Sequence, residues 1–427
     1  MNHEDHKVEL KRALGLWEVT LSGVGIILGA GIYALIGEAA GLAGNAVWMA
    51  FALSALVALL TGLSYAELSS MFPKASAEYE YTSQAFGRRP AFVIGWLIIF
   101  SGAIGAATVA LGFAGYFNVL LGAPRIPSAL ILVVILSGII FVGIKQSAWL
   151  AIIFTLIETL GLVIIIIIGI PYLGSVDYLE MPFGFSGVFQ ASALIFFAFI
   201  GFEEMVKLSE EARDPERTLP RALILAITTS IVLYVLVALS AVSVLGWQEL
   251  SLSDAPFADI ANAALGMNAF FVLSVIALFA TTNTVLLMLL AASRIIYGMA
   301  DSSSLPEVLG RVHPVTRTPW IAILASMILC MGFVLLGDIA LVANVNNFTV
   351  FVTFITINAA LMLLRYRKPE ISRPFKVPLA IGQFPLLPFL GVILNIFMLI
   401  QLTPEVMVIG IVLTVAGILV ALATDRS

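Results

Sequence analysis

Apolar residues run along this chain in long blocks, and polar residues collect in short gaps between them. A helix needs about 20 apolar residues to cross a bilayer. Twelve blocks of that kind can be read, at 13–42, 45–72, 92–122, 127–144, 147–174, 187–209, 219–246, 267–300, 319–337, 339–365, 384–403 and 405–423. Two of the gaps predict short helices of their own. Residues 76–89 carry Glu78, Tyr79, Glu80 and Tyr81 and stop at Gly87, a helix-ending residue. Residues 254–265 open on Asp254 and Pro256 and predict a surface helix on the other side. No long linker separates the blocks. The expectation is an all-α polytopic membrane protein, one domain over 1–427 with twelve transmembrane helices.

Composition agrees with that pattern. The 427 residues are 61% hydrophobic and 11% charged, with a mean hydropathy of +1.09. So few charges cannot cover a soluble domain of this length. An even number of spans puts both termini on one side, and the basic residues say which. Alternate connections hold 20 of the 21 Lys and Arg, and the other set holds only Arg125. The positive-inside rule makes the first set cytoplasmic. The opposite connections carry Asp177, Glu180, Glu249, Asp254, Asp259, Asp338 and Glu405. The formal net charge of −5 therefore reflects an acidic outer face, and no nucleic-acid partner is expected. Met1–Arg12 is polar and lacks a small-residue cleavage pattern, so no removable signal peptide is read. The expected location is the plasma membrane, multi-pass, with cytoplasmic termini and a monomeric or weakly oligomeric state. A single cysteine, Cys330, excludes an intrachain disulfide and a cysteine metal cluster. The histidines, His3, His6 and His313, all stand in polar segments, so no metal site is expected.

Two blocks contain residues that do not suit a continuous helix. The first holds Gly29-Ala30-Gly31-Ile32-Tyr33 at its centre. Glycine weakens a helix by about 1 kcal/mol relative to alanine. A break at bilayer depth is tolerated only where it is buried in protein or lines a cavity. It would expose the amides that start the second half-helix, which favour a carboxylate. Small residues also serve as a packing face between membrane helices, and these residues alone leave both readings open. The sixth block holds Phe197-Ala198-Phe199-Ile200-Gly201-Phe202-Glu203-Glu204. Val188 to Gly201 is 14 residues, too short to span, so the helix is expected to resume at Phe202–Leu208. Interruptions in the first and sixth spans are corresponding positions if the chain is two five-helix repeats, 13–174 and 187–365, followed by helices at 384–423. Paired breaks of this kind point to the binding site of a secondary transporter.

The chain here resembles the amino acid permeases of the amino acid–polyamine–organocation superfamily, which have the leucine-transporter fold. The resemblance rests on Gly29-Ala30-Gly31-Ile32, on Tyr65-Ala66-Glu67-Leu68 with Phe72-Pro73-Lys74, and on Phe197–Glu203 with Ser209–Arg221. It continues in Ser293-Arg294, Tyr297–Ala300, Leu305-Pro306 and Arg373–Pro378. It implies a 5+5 inverted repeat with helices 1 and 6 interrupted. It also implies that the amides at Gly29, Ala30, Gly31 and Ile32 hold a substrate carboxylate. Carbonyls of Phe197, Ala198, Phe199, Ile200 and Gly201 would hold the α-amino group. Phe197 would be an aromatic gate, or else an ordinary core aromatic. Helices 1, 2, 6 and 7 would rock against 3, 4, 8 and 9.

One acid stands out in the fifth block. Glu158 is the only charged side chain between Ala148 and Gly174. An ionised acid in hydrocarbon costs at least about 2.5 kcal/mol, so Glu158 must face protein, carry a proton or bind a cation. Many proton-coupled relatives place a lysine at the matching position, and this chain reverses the charge. Three readings stand: a coupling proton site, a Na⁺ site completed by helix 1 carbonyls and the hydroxyls of Thr281, Thr282 or Thr284, or a structural carboxyl bonded to those threonines. Glu203 and Glu204 can pair with Lys207 at i, i+4 and i, i+3, as local ion pairs or a cytoplasmic gate. Asn344, Asn346 and Asn347 are candidates for the outer vestibule or for interhelical bonding.

The expected function is a secondary active transporter moving amino acids by alternating access, as a proton-coupled symporter of neutral amino acids. The alternatives are Na⁺-coupled or exchange transport of cationic amino acids or polyamines, or an amino acid sensor that does not transport. There is no Gly-x-x-x-x-Gly-Lys-[Ser/Thr] loop for ATP. An intramembrane enzyme would need a convergent nucleophile, base or metal set at depth, which these residues do not supply. No cofactor is expected beyond a coupling H⁺ or Na⁺.

Overall fold

The computed structural model describes residues 14–73, 77–143, 148–302 and 304–424. Lys7, Lys11, Arg12, Lys74, Lys145, Arg426, His3 and His6, used above for sidedness and metal binding, lie outside them. The fifteen α-helices of the described residues, in chain order, are α1 (Leu16–Ile27), α2 (Gly31–Ala43), α3 (Val47–Met71), α4 (Ala77–Phe86), α5 (Arg88–Leu121), α6 (Arg125–Val142), α7 (Ala148–Gly169), α8 (Gly184–Ile195), α9 (Pro215–Ser251), α10 (Pro256–Leu265), α11 (Met267–Asp301), α12 (Trp320–Val334), α13 (Ile339–Arg367), α14 (Leu386–Leu399) and α15 (Pro404–Thr424). Among the described residues, nine helical stretches are long and apolar enough to cross a membrane, the first running from Gly31 through Met71. Three apolar helices, α1, α12 and α14, are shorter than that. The only strands among the described residues are Ala380–Ile381 and Phe384–Pro385, a small hairpin that the all-α expectation lacked.

The helices pack as two groups. In one, α3 lies along α9, and α1, α2 and α8 pack on that pair. In the other, α5 lies along α11 and both meet α6 and α12. α7 and α13 touch both groups. Large apolar side chains face outward on α6, α7 and α15, among them Val142, Leu156 and Val408, as a bilayer requires. The two short helices form where the polar gaps predict them. α4 stops at Gly87, whose φ of +92° suits glycine. α10 keeps an exposed side at Asn262, Ala263 and Leu265, while Phe257, Ala258, Ile260 and Ala261 on its apolar face are fully buried. Its apolar face plugs the bundle, and the ring of Phe257 lies 4.4 Å from that of Tyr33 on α2.

Motifs far apart in sequence meet at the end of α3. Glu67 on α3 accepts from Nε and Nη2 of Arg365 on α13, and Arg373 Nε stands 3.4 Å from the same carboxylate. The Val377 amide donates to Glu67 Oε2 at 2.8 Å. This buried cluster fastens the segment before the hairpin onto α3. It gives a structural reason for Glu67 and for the Arg373–Pro378 run.

Candidate functional site

Both suspect spans are broken where the glycines stand. α1 ends at Ile27 and α2 starts at Gly31, with Leu28, Gly29 and Ala30 between them in a turn. In the sixth span α8 ends at Ile195, a 3₁₀ turn covers Phe196–Phe199, and Ile200 is extended. Gly201 then takes φ +129°, a region only glycine adopts freely. The chain resumes over Phe202–Glu210 as expected, but as a 3₁₀ helix rather than an α-helix. Runs of 3₁₀ this long are uncommon and mark hinges or strain.

A broken helix leaves carbonyls and amides without their usual partners. Here most are met by named side chains. Ser54 Oγ donates to Ser192 O at 2.7 Å. Asn347 Nδ2 donates to Ala193 O at 2.7 Å and Leu194 O at 2.9 Å. The hydroxyl of Tyr234, on α9, stands 2.6 Å from Ile27 O and 2.9 Å from Ala198 O, so one group bridges the two breaks. The Ala30 amide donates to Thr284 Oγ1 on α11 at 3.1 Å. Among the described residues, no backbone bond outside the regular elements reaches the carbonyls of Phe199 and Ile200.

The breaks touch. A Cβ at Gly31 would lie 2.8 Å from Ala198 Cα and 3.3 Å from Phe197 Cδ1. A Cβ at Gly201 would lie 3.0 Å from Ile26 O. Ala30, Ile32, Phe197, Ala198 and Phe199 are buried in and around this contact. Gly29, Ile200 and Gly201 instead line a cavity of about 520 Å³. That cavity runs from the breaks towards the face carrying α4 and is bordered there by Glu78, Glu204 and Lys207. On the opposite side α2, α5 and α10 are tied together. Tyr116 Oη donates to Tyr33 O at 3.0 Å, and the Phe257 amide donates to Tyr116 Oη at 3.3 Å.

Glu158 is buried on α7 and lines the same cavity. Its side-chain partner is Asn283 on α11, whose Nδ2 donates to Oε1 at 3.1 Å, and not a threonine. Thr281 bonds back to Ala277 O at 2.7 Å within its own helix. Thr284 goes to Ala30, and no hydrogen bond joins Thr282 to Glu158 among the described residues. Tyr33 Oη donates to the backbone carbonyl of Glu158 at 2.6 Å, which ties α7 to α2. Glu204 pairs with Lys207. Glu203 does not join them. Its Oε2 accepts from the Gly201 amide at 2.9 Å, closing the turn of the break. Glu78 on α4 faces this group and receives Tyr65 Oη at 3.4 Å. Burial pushes its carboxyl above the ordinary value, with Lys207 opposing and Glu204 adding to the shift. Asn347 serves the helix end. Asn346 lines the cavity, and its polar atoms have no partner among the described residues.

Sequence reasoning missed Tyr234 and Asn283. Each is one of several polar residues on a long, mostly apolar helix, and neither has a local pattern that sets it apart. Only the packing of α9 and α11 brings them to the breaks and to Glu158.

Comparison with known proteins places the whole described core in one group. The family described as amino acid permease matches residues 14–423. The branched-chain amino acid permease BcaP of Bacillus subtilis is 30% identical over 419 residues, 92% of this chain and 88% of that protein. The methylthioribose transporter of the same organism is 31% identical over 397 residues, 86% of this chain and 84% of its own length. Cationic amino acid transporter 4 of Mus musculus is 29% identical over 388 residues, 85% of this chain and 61% of that protein.

Proposed function

The chain belongs to the amino acid permease family, and on that premise we propose that it is a secondary active transporter carrying neutral amino acids across the cell membrane with a proton. The observation that carries the reading is the meeting of two interrupted helices beside a cavity. The amides that start α2 present partial positive charge, which suits a carboxylate. The Ala30 amide is occupied by Thr284, so the proposed carboxylate donors are Gly29, Gly31 and Ile32. The carbonyls of Phe199 and Ile200 suit an ammonium group. A zwitterion matches both ends without any charged side chain, as in other transporters with broken helices.

Two packing groups give the motion its natural parts. The α1–α3, α8 and α9 group would rock against α5, α6, α11 and α12. With the basic face cytoplasmic, the conformation described is open inward, and the α10 plug with Tyr33 and Tyr116 is the outer seal. Glu158 is the proposed proton carrier. Among the described residues its carboxyl has a neutral amide partner and no cationic side chain paired with it, so a proton is the simplest way to keep it uncharged in a low-dielectric site.

The test is uptake of radiolabelled neutral amino acids into proteoliposomes under an imposed acid-outside gradient. Accumulation that a protonophore abolishes and Na⁺ does not alter is the expected result. Glu158→Gln should keep substrate counterflow and lose gradient-driven accumulation. Full accumulation by Glu158→Gln would remove Glu158 from coupling. Binding without counterflow in the wild type would make the protein a sensor.

A further inference from the structure

A second cavity, of about 490 Å³, lies between α6, α11 and α12 on the face that carries the basic connections. Ile140, Leu286 and Ile323 give it an apolar wall, while Arg294 and Arg317 give it two positive charges. No acid lines it. Arg125, Arg365 and Arg373 each find a carboxylate elsewhere in the fold. Arg294 and Arg317 have no side-chain partner among the described residues.

The two arginines are held by built structure. Arg294 stands on α11 seven residues before its end at Asp301, about 10 Å along the axis at 1.5 Å per residue. Arg317 stands on a tight turn. Its amide donates to His313 O at 2.9 Å, and the His313 amide donates to Thr318 O at 2.9 Å. Thr318 Oγ1 donates to Phe141 O at 2.9 Å, and the His313 ring meets the Phe141 ring at 5.1 Å. The turn is thereby fastened to the end of α6.

We propose that this cavity binds an anionic phospholipid, with its phosphate on Arg294 and Arg317 and its acyl chain along the apolar wall. A guanidinium pairs with phosphate through two parallel hydrogen bonds, so an arginine pair is well matched to a head group. Basic pockets between membrane helices on the cytoplasmic side take such head groups. The wall continues onto outward-facing Val142, Trp320 and Leu324, so a chain lying there remains in the bilayer. Inorganic phosphate shares the charge chemistry and would leave that wall uncovered.

The test uses the full-length protein in nanodiscs of phosphatidylglycerol mixed with phosphatidylcholine, followed by native mass spectrometry of the lipid retained. The wild type should keep phosphatidylglycerol in preference to phosphatidylcholine. Arg294→Gln and Arg317→Gln should each weaken that preference about fivefold, as expected for one basic residue near an anionic leaflet. Arg311→Gln, a basic residue of the same connection outside the cavity, should leave it unchanged. Arg317 lies on an exposed turn, so its variant carries the test even if Arg294→Gln fails to fold. Equal retention of the two lipids, an unchanged preference in Arg317→Gln, or an equal loss in Arg311→Gln would overturn the proposal. So would full displacement by millimolar inorganic phosphate, which would make the cavity a soluble-anion site.

Discussion

Replacing Gly31 with alanine tests the contact on which the site depends. The added Cβ would lie 2.8 Å from Ala198 Cα, a backbone atom of the other break. Ordinary contact begins near 3.4 Å, so the breaks must separate by about 0.6 Å. Overpacking of this kind costs about 1–3 kcal/mol. Alanine returns up to about 1 kcal/mol as the better helix former, so the net is a loss. The strain falls on Tyr234, whose hydroxyl now spans 2.6 and 2.9 Å to the two breaks. Opening by that amount carries at least one of the two distances to or beyond the usual limit of about 3.2 Å. A loss near 1.4 kcal/mol is tenfold in affinity. Gly31→Ala should therefore raise the apparent KM for amino acid uptake into proteoliposomes about tenfold, in protein that still unfolds cooperatively. Gly298→Ala is the control, because a Cβ there meets nothing within 4 Å. It should transport as the wild type does. Equal apparent KM values for Gly31→Ala and Gly298→Ala would refute the reasoning.

Three further outcomes follow from the same geometry. Tyr234→Phe removes the one hydroxyl shared by the breaks and should lower the transport rate, with a stability loss of about 1–3 kcal/mol; thermal unfolding beside uptake checks both, and an unaltered rate would make the bridge incidental. Arg365→Met takes its bidentate partner from Glu67, which is fully buried and keeps only Arg373 and the Val377 amide, and should cost up to about 3–5 kcal/mol, seen as a lower unfolding temperature in detergent; a shift no larger than that of a surface variant contradicts it. Burial raises the Glu78 carboxyl above its unfolded value, so the folded state binds the proton more tightly. Its contribution is present at low pH and is lost as pH rises through the raised value. Glu78→Gln should then flatten the decline in stability as pH rises above the ordinary carboxylate range, and a parallel decline in both proteins would show that Glu78 does not set it.

The sequence carries the breaks because they violate their surroundings: Gly29 and Gly31 interrupt one apolar block, and Gly201 with two acids interrupts another. The charge alternation of the connections is legible for the same reason. What brings the breaks together is not legible. Tyr234 and Asn283 are each one of several polar residues on a mostly apolar helix, and their targets Ile27 and Glu158 lie more than a hundred positions away. In the sequence, Thr281, Thr282 or Thr284 reads as a hydroxyl partner for Glu158. Thr281 instead bonds to its own helix and Thr284 caps the Ala30 amide, since a helix turns neighbouring side chains to different faces. The i, i+4 pairing of Glu203 with Lys207 fails because the segment is a 3₁₀ helix, which eclipses i and i+3 and so favours Glu204. α10 reads as a surface helix from its polar entry, and its buried apolar face emerges only from packing. Glu67 and Arg373 stand in separate motifs whose meeting depends on how α13 returns the chain to α3.

The account is tested most directly by competition in counterflow. Purified protein in liposomes preloaded with a transported amino acid should exchange it for the labelled form. The zwitterion should compete fully. The matching amine, which lacks the carboxylate, and the matching deaminated acid should each compete at least tenfold more weakly, because each leaves one break without its partner. If either analogue competes as well as the amino acid itself, the main-chain ends at Gly29–Ile32 and at Phe199–Ile200 do not hold the substrate in the way described.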